Sequence, residues 1–443
     1  MKTNFVKLRW LFTMLLFVTT MIMPTMMLAK SIDLKIPEGD GAGTPYKIGT
    51  AEELYWFAGL VNGTLPGVKK DLSANAILTD DIIVNTGVLD PNKDLVSGND
   101  FIEWIPIGKS SSDDDAYTGT FDGNGHTISG LYFNKSNSWY VGLFGCIGAE
   151  GKISNVGVSD SYFQSSNCPY IGGVCGSNSG ELQNCSNSST VIGKENEYRI
   201  GGVCGYNSGT VKDCKNTGSV RGKETIGGVC GYNERRYNEK GGIIENSFNE
   251  GTVSGTGDYD VLNIGGVCGY NYGGTIKSCY NTASVSGQNS VGGVSGYNYG
   301  GTIKSCYNTA SVSGQYSVGG VCGDNYEGPI TNCYYLSGTV ADGKGGIGGK
   351  DDENGKAVEM SKDRFKSGEV AWLLNGSKSV STEESTLAWY QKLGENADAY
   401  PVLTSTGDNT VYGGYQHGSR VRFFSNTVQH STGECKLNCV KLQ

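Results

Sequence analysis

The chain has 443 residues, a formal net charge of -9, and 69 Gly against only 9 Pro. That Gly is too sparse and too aperiodic for a collagen, and the acidic balance argues against a general nucleic-acid partner. The composition suits a chain that turns tightly every few residues, and 26 Tyr against 13 Phe suggests half-exposed aromatic surface.

The first 29 residues read as a secretory signal peptide. Lys2, Lys7 and Arg9 make a positive start, Trp10 to Met23 an apolar stretch, and a cleavage site is expected near Ala29. Met27 is larger than the usual small residue before such a site. A single membrane anchor is the alternative, but the apolar run is short for a span. No Cys occurs here for lipid attachment, and no later segment approaches membrane length. The mature protein is therefore expected to carry no membrane span.

Residues 30–115 are expected to form an N-terminal cap. Thr50-Ala-Glu-Glu53 is a capping box, and Leu54, Phe57, Ala58 and Val61 recur at helical spacing. This spacing predicts a short amphipathic helix over Ala51 to Asn62. Laid across the end of a strand array, it would hide an edge that recruits other chains. Ser110 to Asp115 is a polar loop. Tyr117 to Asn134 then looks like the first full coil, with Ile128, Leu131 and Phe133 inward.

A repeat dominates the middle of the chain. Ile264-Gly-Gly-Val-Cys-Gly-Tyr-Asn271 leads into Thr275-Ile-Lys-Ser-Cys279 and then Ala283-Ser-Val-Ser-Gly287. The next unit is identical from Tyr297 to Gln315 to its predecessor from Tyr270 to Gln288. Copies begin at residues 141, 171, 200, 226, 264, 291 and 318. No apolar 3.6 period runs through them, which excludes an α-helical repeat. Three β-type runs per unit, separated by Gly and Asn corners, predict an all-β fold. It would be a parallel β-solenoid (β-helix) of stacked, roughly 27-residue three-strand coils with small α-containing caps. Coils would stack at ~4.8 Å, so roughly eight make a rod of ~40 Å over residues 116–346.

The repeat assigns faces. The leading Ile or Val, the Val before Cys, the Ile and Cys of TIKSC and the Val of ASVSG should form inward ladders. Ile and Cys are three apart, which breaks strict alternation and implies a bend. Asn207, Asn233, Asn271, Asn298 and Asn325 recur at one corner, and Asn187, Asn216, Asn249, Asn281 and Asn308 at another. Stacked Asn side chains can hydrogen-bond along the axis. Residues 347–412 read as a C-terminal cap, with a helix over Met360 to Asn375, or two broken at Gly368, and Ser361 as N-cap. The tail, 413–443, has no period and is expected to be disordered.

Ile264-Gly-Gly-Val-Cys-Gly-Tyr-Asn271 followed by Thr275-Ile-Lys-Ser-Cys279 resembles the GLUG-motif repeat, over about 141–346. The flanking Phe121-Asp-Gly-Asn-Gly-His-Thr-Ile-Ser-Gly-Leu131 and Trp389 to Leu403 also look like what surrounds such repeats. The resemblance implies a secreted or surface protein, mostly bacterial, and some members accompany immunoglobulin A-cleaving metallopeptidases. Here the family's Leu-Val is Val-Cys in most copies, and no peptidase domain is expected within these 443 residues.

Candidate chemistry is sparse. The 14 Cys of an exported chain would ordinarily suggest disulfides. Yet Cys175, Cys204, Cys230, Cys268 and Cys322 share a ladder with Ser295, and Cys185, Cys214, Cys279, Cys306 and Cys333 share one with Ser247. An obligate bridge would not tolerate the Ser, so buried free thiols are expected. Bridges between ladders or adjacent coils are the alternative, since a coil spacing of ~4.8 Å falls within the allowed Cα separation, and Cys435–Cys439 is the best candidate for a pair. One Cys per coil and three His give no closed zinc set, no HExxH motif occurs, and no cofactor is expected. Asp122 and His126 flank a turn and read as corner residues. Two aromatic sets remain, Tyr206, Tyr232, Tyr270 and Tyr297, and Phe248, Tyr280, Tyr307 and Tyr334. On stacked coils each becomes a stripe offering flat amphipathic area. The expectation is a non-catalytic, adhesin-like module binding an extracellular glycan or host protein. The alternatives are a carbohydrate-active β-helix enzyme or an accessory segment of a surface peptidase system.

Overall fold

The computed structural model describes residues 32–98, 100–110, 114–167, 169–194, 199–235, 241–256, 262–341, 344–348, 356–377, 388–393 and 397–403. It also describes the backbone of strands Thr410–His417 and Arg420–Asn426, which pair antiparallel. The expected signal peptide and Cys435–Cys439 lie outside these residues.

Parallel strands stack coil on coil into a solenoid, as the repeat requires. Each full coil, however, contributes to five sheets rather than three. In one coil the strands are Thr275–Lys277, Tyr280–Asn281, Val285–Ser286, Asn289–Gly292 and Ser295–Tyr299; their sheets are numbered one to five in that order. Two of the three runs read as single strands are broken by a corner. In TIKSCYN the break falls at Ser278, whose φ of 52° is left-handed, as are those of Asn184, Asp213, Asn246, Ser305 and Asn332 at the same place. Asn, Asp and Ser tolerate that conformation better than most residues. In the IGGV run the break is the Gly-Gly pair. A Cβ on Gly292 would lie 1.9 Å from the Ser295 carbonyl oxygen, and one on Gly293 2.1 Å from that of Gly320. Only glycine lets the chain turn there against its neighbours.

The inward ladders fall where expected. Ile171, Ile200, Ile226, Ile264, Val291 and Val318 register through sheet four. Leu182, Val211, Ile244, Ile276, Ile303 and Ile330 do so through sheet one. All are buried in one continuous core. Both Asn columns are bonded end to end, and all their members but Asn325 are fully buried. Nδ2 of Asn178, Asn207, Asn233, Asn271 and Asn298 donates to Oδ1 of the next Asn at 2.7–2.9 Å, the last being Asn325. Asn187, Asn216, Asn249, Asn281 and Asn308 repeat the pattern at 2.7–2.9 Å. These amides satisfy one another where water cannot reach.

The N-terminal helix α1 (Ala51–Asn62) is capped by Thr50, whose Oγ1 accepts from the Glu53 N–H. Glu53 reaches back one residue further, to the Gly49 N–H at 2.9 Å, and pairs with Lys35 at 2.5 Å. The helix is buried on nearly every side from Glu53 to Asn62, more than an amphipathic stripe requires. Phe57 packs on Tyr117 and Phe121 of the first coil, while the Tyr55 hydroxyl donates to the Glu103 carbonyl on the other side. Phe57 alone, fully buried, contributes about 2–3 kcal/mol.

Two segments then cover lateral faces of the rod. Val88, Leu89 and Phe101 lie against Tyr132, Tyr162 and Ile192 outside sheet three, and Asp94 pairs with Arg221 at 3.0 Å. At the other end the chain adds Ala357–Met360 as the last strand of sheet two. It turns into α2 (Lys362–Lys366), capped by Ser361, and α3 (Glu369–Leu374), separated by left-handed Gly368. These helices fold back over the outside of sheet two. No helix among the described residues is long and apolar enough to cross a membrane.

Candidate functional site

Period two along sheet five decides what the rod displays. In Tyr270-Asn271-Tyr272 the Asn points inward to its ladder, so both tyrosines face outward. The same holds for Tyr297-Asn298-Tyr299. Registered pairing stacks Tyr206, Tyr232, Tyr270 and Tyr297 into one column. It places Glu234 beside Tyr272 in a second, continued by Tyr299 and Tyr326. The second column was not anticipated from the sequence, although the Tyr-x-Tyr spacing was its signal.

The two columns differ in exposure. Tyr206 is buried, and Tyr232, Tyr270 and Tyr297 are half-buried. Tyr272, Tyr299 and Tyr326 are 38%, 40% and 49% exposed. Their rings stack along the axis: Tyr272 on Tyr299 at 5.3 Å and 16°, Tyr299 on Tyr326 at 5.0 Å and 13°. Across the columns, Tyr270 and Tyr272 lie 6.1 Å apart, and Tyr297 and Tyr299 6.5 Å. The result is a slab of phenols whose faces meet neighbours and whose edges meet solvent. Burial and the adjacent Tyr297 push the Tyr270 hydroxyl up to about 12, and burial together with Asp324 also raises that of Tyr297. Both stay protonated donors at neutral pH.

One end of the slab is closed by a cation. The Arg199 guanidinium sits 4.5–5.4 Å from the ring centres of Tyr170, Tyr206 and Tyr232 and donates to the Tyr170 hydroxyl at 2.8 Å. Tyr206 in turn donates to Glu234. Cation–π contacts of this kind are worth about 0.5–2 kcal/mol each. At the other end Asp324 takes the place of a tyrosine in the first column.

The second predicted stripe is not a surface. Phe248, Tyr280, Tyr307 and Tyr334 do register into a column, and the rings of its first three members lie 4.6–5.1 Å apart and within 6° of parallel. But Tyr280, Tyr307 and Tyr334 are buried beneath Met360, Phe365, Val370, Leu374 and Trp389. Tyr307 is 1% exposed and donates to the Pro401 carbonyl at 2.6 Å. The expected outward stripe is the seat of the C-terminal helices.

The remaining candidates are structural. Asp122 accepts from the Asn124 N–H and from Asn155 Nδ2, both at 2.9 Å, which fixes a turn. His126 lies 3.4 Å from Asp81 at the surface. The ten cysteines of the two ladders are free and buried. Among the described residues, no group of three or more His, Cys, Asp or Glu is placed to hold a metal ion.

The chain carries GLUG-motif repeats: the GLUG motif matches residues 196–221, 260–286 and 287–313. An 84-residue stretch, 19% of the chain, is 38% identical to "Halomucin" of Haloquadratum walsbyi. A 78-residue stretch, 17% of the chain, is 33% identical to a protein of Evansella cellulosilytica described as "Putative Gly-rich membrane protein". These matches span only 1% and 9% of the relatives' own lengths. Among solved structures, a "putative immunoglobulin A1 protease" from Bacteroides ovatus aligns over 83% of this chain and 98% of its own, at 21% identity and a TM-score of 0.46.

Proposed function

We propose that this chain is a secreted or cell-surface interaction module that binds an extracellular ligand, glycan or host protein, without catalysis. The observation that carries the reading is the exposed tyrosine slab of sheet five. Cap segments cover parts of sheets two and three, while Tyr272, Tyr299 and Tyr326 are left open in register. Large rigid amphipathic rings on a preformed surface are a low-entropy way to bind, and long flat sides are what solenoids offer. The description of the Evansella relative as a membrane protein agrees with a surface location. The test is binding of the labelled full chain to a glycan array and to a panel of host surface proteins. Saturable binding without change in the ligand supports the module. Release of cleaved product would replace it with the carbohydrate-active enzyme reading.

A further inference from the structure

From the pitch, charge and exposure of the slab, we infer that its ligand is a neutral, extended β-1,4-linked glycan lying along the rod axis. It would run over Tyr272, Tyr299 and Tyr326 with one sugar per coil. This deepens the proposed function and rests on it.

Three observations lead there. First, the exposed rings repeat at 5.0–5.3 Å, because the coil spacing imposes it. An extended β-1,4-linked chain advances by nearly the same distance per sugar, so one sugar can meet each tyrosine, successive sugars presenting alternate edges because the chain turns over at each linkage. A peptide strand advances ~3.3 Å per residue and falls out of register with the tyrosines after one coil. Second, the ring faces meet their neighbours, so what remains for a ligand is a file of ring edges and phenol hydroxyls. Hydroxyls that both donate and accept suit sugar hydroxyls. Third, the charges beside the slab are mostly acidic. One cation, Arg235, stands against three carboxylates; its backbone N–H donates to the Tyr272 carbonyl at 2.8 Å and its side chain lies beside Gly273. Glu234 lies in line with Tyr272, Asp324 in line with Tyr297, and Glu327 bridges to Tyr299. Arg199 is already engaged by three rings and lies at the far end. Polyanionic glycans would meet like charge, whereas neutral ones would not.

Calorimetric titration of the full chain with β-1,4-linked hexasaccharides of glucose and of N-acetylglucosamine tests this. An oligogalacturonate serves as the anionic comparison and the disaccharides as the short one. At least one neutral hexasaccharide should bind saturably and clearly more tightly than its disaccharide, since the longer chain reaches more coils. The oligogalacturonate should not bind. Tyr299→Phe keeps ring and packing but removes one hydroxyl, and should weaken binding roughly three- to tenfold. The triple variant Tyr272→Phe, Tyr299→Phe, Tyr326→Phe should abolish it, with circular dichroism and melting temperature unchanged. If neutral oligomers bind no better than the uronate, or the triple Phe variant binds as well as the parent, the inference is wrong. The two readings fail separately. A protein or charged ligand lost on Tyr272→Ala, Tyr299→Ala, Tyr326→Ala, with no neutral glycan bound, overturns the glycan and keeps the interaction face. No ligand sensitive to that alanine variant overturns both.

Discussion

Ser295 makes the hydrogen bond that Cys268 makes one coil earlier. Its Oγ donates to the Tyr297 carbonyl at 3.1 Å, as the Cys268 thiol donates to that of Tyr270 at 3.4 Å. The other ladder repeats this in mirror sense. Ser247 donates to the Glu245 carbonyl at 2.9 Å, and Cys214, Cys279 and Cys306 donate to the carbonyl two residues back at 3.2 Å. What the position demands is a small side chain with one donor. That explains why Ser enters each ladder without leaving a partner thiol behind.

Substitution should therefore separate the two requirements. Cys268→Ser is expected to cost less than about 1 kcal/mol, because the donor survives. Cys268→Ala leaves the Tyr270 carbonyl without its donor and a small void, and should cost about 1–2 kcal/mol more. Urea unfolding of the two variants gives the comparison, and equal midpoints would remove the hydrogen bond from the explanation.

The thiols also set a pH limit. Burial pushes those of Cys175, Cys204, Cys214, Cys230, Cys306 and Cys333 well above the ordinary range, whereas an unfolded thiol ionises near pH ~8.5. Raised folded values mean that the folded chain holds protons which the unfolded chain releases. Stability should thus be full below about pH 8.5 and fall as pH rises above it. Melting temperature followed into alkaline buffer should decline there, and less steeply when Cys204 and Cys230 are Ser. A titration under denaturing, non-reducing conditions should find at least the ten ladder thiols, and these should resist alkylation in the folded chain.

Asn271 stands mid-ladder, donating to Asn298 and accepting from Asn233. Asn271→Ala strips a partner from both neighbours in a dry site and should cost about 2–5 kcal/mol. Because coils contact mainly their neighbours, hydrogen exchange should accelerate first in the coils holding Asn233 and Asn298. Uniform acceleration along the rod would contradict this.

Two glycines give a clean contrast. Gly292→Ala places a methyl 1.9 Å from the Ser295 carbonyl oxygen and should prevent that corner from forming. Gly300 has φ 60° and nothing within 4 Å of its added Cβ, so Gly300→Ala costs only the left-handed conformation, about 1–2 kcal/mol. Expression and thermal melts should show a folded Gly300 variant and a severely destabilised Gly292 variant.

The C-terminal helices are held by the buried tyrosine column. Phe365→Ala should cost about 3–5 kcal/mol of local stability and loosen the contact of Trp389 with Tyr307, now 5.3 Å between ring centres. A red shift of tryptophan emission with the solenoid's circular dichroism retained is the expected signature.

Most of the coil was legible in its repeat. Inward Val and Ile, the two Asn ladders, Thr50 and Ser361 as caps, and the bend inside TIKSC all follow from local rules of side-chain size, period and donor chemistry. The number of strands per coil was misread, because a left-handed Ser278 and a Gly-Gly pair interrupt strands without interrupting their composition. Tyr272, Tyr299 and Tyr326 were overlooked although the Tyr-Asn-Tyr alternation places them beside Tyr270 and Tyr297, opposite a buried Asn.

By itself, the sequence determined the direction in which each repeat side chain leaves the rod. That is a property of one coil, set by strand alternation and by which residues tolerate a tight corner. Only the tertiary structure decided which outward columns stay outward. Tyr280 and Tyr270 leave their strands alike, yet one is roofed by α2 and α3 and the other borders solvent. The difference comes from where a distant segment finds enough apolar area to fold back upon.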